Sequence, residues 1–210
     1  MVSAPEKTVK PLKYKSLDGL SDKQLSQHHD VLYAGYVKKT NEIRKALETV
    51  DKTTANATFS QLRELKVEET FALNGVKLHE YYFDSMGEKK AGAKPLGTIA
   101  AWINDDFGSF ENWATEFKAM GIASRGWVVL AMDLEDGRLY NFSCDVHNQG
   151  GVWGAVPVLV LDVYEHAYFI DYGTTRKDYI EAYMKNVDWT ECGNMIGKFK
   201  LEQFRKNRKA

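Results

Sequence analysis

Six consecutive apolar residues, VPVLVL at 156–161, run directly into the polar stretch DVYEHAYFIDY at 162–172. An apolar run that short, rich in β-branched residues, predicts a strand covered on at least one face. Such a strand needs a sheet beneath it and helices or loops above it. Its exit then places Asp162, Glu165 and His166 within five positions. Charged groups at the end of a buried strand are expensive unless something pairs with them. A metal, an ion pair or a catalytic dyad would each meet that demand.

The remaining pattern organises around this strand. SDKQ at 21–24 has the Ser-x-x-Gln form of a capping box, and a long helical pattern follows. Leu25, His28, Leu32 and Tyr36 fall at steps of three, four and four, which predicts one stripe holding all four. A polar, Thr-rich connection precedes a second helical region over about 60–86, with an interruption expected at Asn74-Gly75. GEKKAGAKPLG at 87–97 is the best boundary, and divides the chain into residues 1–91 and 92–210. Beyond it, Ser109 is a predicted cap for a helix carrying Phe110, Trp113 and Phe117 on one face. GWVVLAMDLEDGRLYNFSCDV reads as two strands, the second over Leu139–Val146, turning at Glu135-Asp136-Gly137. Helices are expected again over 176–185 and 189–204. The order is a helical first half, then helices, three strands and more helices.

Composition removes several function classes. Over 210 residues the formal net charge is −1, so no polybasic footprint exists for nucleic acid or an anionic membrane. No apolar run approaches the roughly 20 residues that span a bilayer, and MVSAPEKTVK lacks the apolar core of a secretory signal. Cys144 and Cys192 form neither a disulfide framework nor a CxxC pair, which fits reduced thiols in a cytoplasmic protein.

Three of the five histidines, His28, His79 and His166, interrupt otherwise apolar patterns. A buried neutral imidazole has one donor and one acceptor to satisfy. Together with Asp162, these three could satisfy one another through one cation, although each taken alone reads more readily as a satisfied core or surface histidine than as a ligand. Imidazole and carboxylate suit iron, manganese or zinc, and the absence of thiolate ligands disfavours a soft-metal or iron–sulfur site.

DVYEHAYFIDY is similar to the D-x-W-E-H-A-Y stretch of the iron/manganese superoxide dismutase family. HHDVLYAGYVKKTNEI resembles the first long helix of that family, VKLHEYYF its second ligand helix, and WINDDFGSFENWATEF with SRGWVVL the opening of its second domain. EHAYFIDYGTTRKDYIEAYMKNVDW resembles its C-terminal signature, so the resemblance extends from about Leu12 to Trp189. It implies an α+β fold, in which an N-terminal helical hairpin precedes an α/β domain with a three-stranded antiparallel sheet. It further implies one iron or manganese ion per subunit held by His28, His79, Asp162 and His166, superoxide as substrate, and a homodimer. Tyr36 falls at the family's gateway tyrosine and Arg176 at an arginine near the substrate approach. Glu165 falls at a glutamate that reaches a partner's metal-binding histidine.

The residue that orients solvent at the metal is supplied in some members by the loop before the last strand, where CDVHNQGG offers both His147 and Gln149. His147 lies fifteen residues before Asp162, a gap-free match to the histidine-using members, and is the expected residue. The chain departs from the family at Leu32 and Phe169, where polar residues otherwise meet across the dimer, and at Tyr164 and Phe83, where tryptophan is usual. Two other readings stand beside the dismutase: a metal-binding homologue of low activity, and a mononuclear non-haem oxygenase or hydrolase.

Overall fold

A computed structural model describes residues 4–88 and 94–206. Among these residues the helical first half and the three-stranded antiparallel sheet expected from the sequence are both present. The boundary expected between residues 91 and 92 lies outside the described residues.

The first half is a pair of long helical arms. Ser21 caps α1 (Asp22–Ser26), its hydroxyl accepting from the Gln24 amide at 3.1 Å. The reciprocal half of the capping box does not form. Asp171 takes the Ser21 amide, which frees the Gln24 side chain for the C-terminal half of the chain. The helix then widens into a π-helical stretch over Gln27–Tyr33, where the Ala34 amide reaches back five residues to the His29 carbonyl, before continuing as α2 (Ala34–Thr49).

One extra residue in the turn rotates everything after it. The predicted stripe is therefore broken at Leu32, which is 36% exposed, while Tyr33 takes the buried place at 1%. Val37, Thr40, Ile43 and Leu47 follow Tyr33 down the buried face of α2. A regular 3.6-residue period could not anticipate this shift.

The return arm, α3 (Gln61–Asp84), is capped by Ser60 and runs through Asn74-Gly75 without the expected interruption. Gly75 is tolerated because α2 lies so close: a Cβ there would sit 2.8 Å from Cδ1 of Tyr36. Ile43, Leu47, Val50 and Ala72 make a small separate core between the arms.

In the second half, α4 (Thr98–Phe107) and α5 (Phe110–Ala123, capped by Ser109) lead into the sheet. β1 (Trp127–Asp133) lies between β2 (Leu139–Cys144) and β3 (Ala155–Asp162), antiparallel to both. β1 is buried along nearly its whole length, as a central strand covered on both faces should be. β2 ends two residues earlier than predicted, because Val146 instead pairs with Gln149 in the loop that follows. The β1–β2 turn uses Gly137 at φ 68°, where a Cβ would meet the Phe204 carbonyl at 2.7 Å. Pro157, which lacks an N–H, lies on edge strand β3 beside a register shift at Leu130/Ala131.

A single-turn 3-10 helix (Glu165–Ala167), α6 (Phe169–Tyr172), α7 (Arg176–Asn186), α8 (Trp189–Lys198) and α9 (Glu202–Lys206) complete the described chain. The helix predicted over 189–204 is thus two pieces, parted where Lys200 adopts φ 52°. No helix among the described residues is long and apolar enough to cross a membrane.

Candidate metal centre

The site lies where the two arms meet the end of the sheet. The π-helical stretch presents His28, α3 presents His79, β3 ends on Asp162, and the 3-10 turn brings His166 alongside it. One ligand atom from each of these four residues lies within 4.8 Å of the other three. The Nε2 atoms of His28, His166 and His79 stand 3.1, 3.2 and 3.6 Å from one oxygen, Oδ2 of Asp162. The other oxygen, Oδ1, accepts from the Tyr164 amide at 2.9 Å, which fixes the carboxylate plane.

The donor set tests well against a cation. His79 Nδ1 donates to the Gly75 carbonyl at 2.6 Å, one helical turn earlier, so its Nε2 carries a lone pair. That Nε2 is fully buried and has no hydrogen-bond partner. A buried orphan acceptor aimed at a carboxylate and two further imidazoles is costly unless a cation draws all four together. His28, His79 and Asp162 are all at most 1% exposed.

Protonation favours ligation too. Burial lowers the His28 pKa against the pull of Asp162, and burial plus the neighbouring His28 charge lowers that of His79 to about 3. Burial works against ionisation of Asp162, yet the imidazoles of His166 and His28 hold its carboxyl well below the usual range. His166 differs: burial lowers its pKa, but Asp162 more than offsets this and raises it.

A second layer of contacts orients these four. Gln24, buried in α1, donates to the His166 carbonyl at 2.6 Å and accepts from the Ile170 amide at 3.1 Å. The Tyr179 hydroxyl donates to the Asp162 carbonyl at 2.6 Å. Phe83 and Tyr82 pack on the His28 ring at 4.9 and 5.1 Å, and Tyr164 stacks on His166 at 5.1 Å. Gln24, Gly75 and Tyr179 carried no functional signal in the sequence.

His147 is 4% exposed and both of its nitrogens are engaged. Nδ1 accepts from the indole N–H of Trp127 at 2.9 Å, which leaves the proton on Nε2. Nε2–H then donates to the Tyr36 hydroxyl at 2.7 Å. The imidazole expected to hold solvent directly is therefore directed at Tyr36. Burial lowers its pKa to about 4, so it stays neutral near pH 7. Burial, with Asp162 adding to it, raises the pKa of the Tyr36 phenol, which keeps its proton. Gln149 lies exposed in the same loop. Trp127 pairs with Asp162 across β1 and β3 and with Cys144 across β1 and β2, so the sheet register itself positions the indole.

Arg176 is not one of the four clustered residues. Its guanidinium donates to the Tyr168 hydroxyl at 3.0 Å and the Ser124 carbonyl at 2.8 Å. Glu165 is exposed.

Comparison with known proteins agrees with this geometry. Residues 95–195 match the family model described as iron/manganese superoxide dismutases, C-terminal domain. The iron superoxide dismutase of Aquifex aeolicus is 41% identical over 181 residues, 85% of this chain and 84% of that protein. That of Cupriavidus metallidurans is 42% identical over 176 residues, 82% and 86% of the two chains. The manganese superoxide dismutase of Haloarcula marismortui is 36% identical over 191 residues, 90% and 92%. On these identities and coverages, the chain belongs to the iron/manganese superoxide dismutase family.

Proposed function

We infer that the protein is a superoxide dismutase that converts two superoxide anions and two protons into oxygen and hydrogen peroxide. The observation that carries this reading is the convergence of three imidazole Nε2 atoms on Asp162 Oδ2 in a buried site, with the His79 Nε2 otherwise unpartnered. His28, His79, Asp162 and His166 would hold one iron or manganese ion. Relatives named for iron and for manganese both resemble the chain, at 41% and 36% identity in Aquifex aeolicus and Haloarcula marismortui. A bound iron or manganese ion supplies the one-electron couple that one superoxide reduces and the next oxidises.

The chain's own residues manage protons and access. Because Trp127 donates to His147 Nδ1, the His147 Nε2–H is committed to the Tyr36 oxygen. The Tyr36 O–H is then free to turn outward and donate to an arriving anion. Tyr36 is half-buried, so it stands between the centre and solvent. In this reading His147 sets the direction of the Tyr36 proton, and its hold on solvent at the metal passes through Tyr36. Arg176 acts at a distance by tying Tyr168 to the Ser124 carbonyl.

The same proposal includes two domains, 1–91 and 92–210, supported by the ligand set drawing two residues from each. It includes a homodimer, supported by apolar exposure at Val31 (55%), Leu32 (36%), Phe169 (51%) and Ile170 (45%) on segments that Gln24 ties together. Glu165, exposed beside His166, would reach His166 of a second protomer. A cytoplasmic location is supported by Cys144 and Cys192, both unpaired and buried.

The test is a superoxide-consumption assay on purified protein with parallel metal analysis. Rapid turnover with one iron or manganese per chain is the expected result, and His79→Ala should lose tight metal retention with it. Stoichiometric metal in that variant, or full loading without turnover, would refute the assignment.

A further inference from the structure

One face of α3 stands off the sheet. Thr70, Leu73, Asn74, Lys77, Leu78 and Tyr81 recur at helical spacing along it and line a cavity of about 520 Å³. The opposite wall is the sheet face that carries Val129, Ala131, Phe142 and Pro157, residues that the strand register sets side by side. His147 and Cys144 also line the cavity, as does the loop bearing Val152 and Trp153. Of the residues that the proposed dismutase chemistry uses, His147 alone borders this space.

Its chemistry is specific. Lys77 is the one charged residue among the lining side chains, with no carboxylate beside it there. Among the described residues the Lys77 ammonium enters no ion pair, and the side-chain amide of Asn74, three residues earlier on the same helix face, enters no hydrogen bond. Trp153, between Gly151 and Gly154, is 99% exposed although it borders an apolar concavity. Scattered exposed apolar residues are ordinary, but a wholly exposed indole at the rim of an apolar hollow is a surface that a ligand would cover. The volume also lies in the range of small-molecule sites, which pair apolar walls with a few polar groups.

We propose that the cavity between α3 and the sheet binds a small amphiphilic carboxylate. Its apolar body would lie between Leu73 and Phe142 under Trp153, and its carboxylate would rest against Lys77 and Asn74. None of His28, His79, Asp162 and His166 lines this site, which adjoins the metal centre through His147, and the proposal does not depend on the dismutase reading.

The test is a titration of the metal-loaded protein with decanoate and, in parallel, with decanol, followed by indole emission and by calorimetry. Trp102, Trp113 and Trp127 are at most 6% exposed and Trp189 is half-buried, so the part of the blue shift that Trp153→Phe removes reports Trp153. The expected result is saturable binding of decanoate, one per chain, with decanol weaker. Lys77→Gln should weaken decanoate by about tenfold, as loss of a charge-assisted contact does, and leave decanol unchanged. Leu73→Trp, which fills the cavity, should abolish both, with circular dichroism confirming that it folds. Trp153→Phe should keep the calorimetric signal and lose the optical one. Non-saturable heats, equal affinity for decanoate and decanol, or decanoate binding indifferent to Lys77→Gln and Leu73→Trp would each overturn the proposal.

Discussion

Replacing Gly75 with alanine separates two opposing effects where α3 packs against Tyr36 of α2. In a helix interior alanine is worth about 1 kcal/mol more than glycine. Against this, the new Cβ would lie 2.8, 3.0 and 3.2 Å from Cδ1, Cγ and Cε1 of Tyr36, where ordinary contact begins at 3.4 Å. The ring must retreat by about 0.6 Å, and overpacking of that kind costs about 1–3 kcal/mol. The net expectation for Gly75→Ala is a loss of about 0–2 kcal/mol. Retreat also draws the Tyr36 hydroxyl from His147 Nε2, a 2.7 Å bond, so superoxide turnover should fall. The informative measurement is a double-mutant cycle by urea denaturation at matched metal occupancy. With Tyr36→Phe the ring remains and the penalty should persist. With Tyr36→Ala the clash is gone, and Gly75→Ala should stabilise by about 1 kcal/mol. If Gly75→Ala stabilises the parent protein by that full amount, or costs the same beside Tyr36→Ala, the steric account fails.

Three further outcomes follow from the same contacts. Trp127→Phe leaves His147 Nδ1 buried without its donor, at a cost of about 1–3 kcal/mol. The proton should then redistribute between the ring nitrogens, visible in the ¹⁵N shifts of His147, with reduced turnover; unchanged shifts would contradict the proton placement. Introducing Glu at both Leu32 and Phe169 places charge in the exposed apolar surface and should give a monomer by light scattering, with metal retained; a persistent dimer would move the interface elsewhere. For acid stability, the folded pKa of His147 is lowered to about 4, below the ordinary value of about 6.5. The unfolded chain therefore takes up that proton first as pH falls. This contribution is complete above pH of about 6.5 and is lost progressively toward about 4. His147→Gln should show a shallower decline across that window in denaturation experiments, and identical pH profiles would remove His147 from the balance.

Local chemistry in the sequence carried much of the fold. Ser21 and Ser109 announce helix starts because a hydroxyl before an apolar-periodic run satisfies an orphan amide within the same few residues. VPVLVL announces a covered strand, and the turn at Gly137 declares itself, because both signals act between near neighbours. The residue types His28, His79, Asp162 and His166 also stood out, through interrupted apolar patterns and a resemblance that keeps them in order. What the sequence could not express is which atoms meet. The π-helical turn that exposes Leu32 and buries Tyr33 is a one-residue shift that a regular period conceals. Gln24 was legible as a capping-box glutamine, yet it instead holds the His166 carbonyl 142 residues away. Trp127 and His147 lie 20 residues apart and read separately as a strand aromatic and a loop histidine, and the indole meets Nδ1 only because β1 is registered between β2 and β3. Each of these contacts joins segments whose separation in sequence carries no local preference. The packing of arms against sheet decides them, since only there must every buried donor find its acceptor.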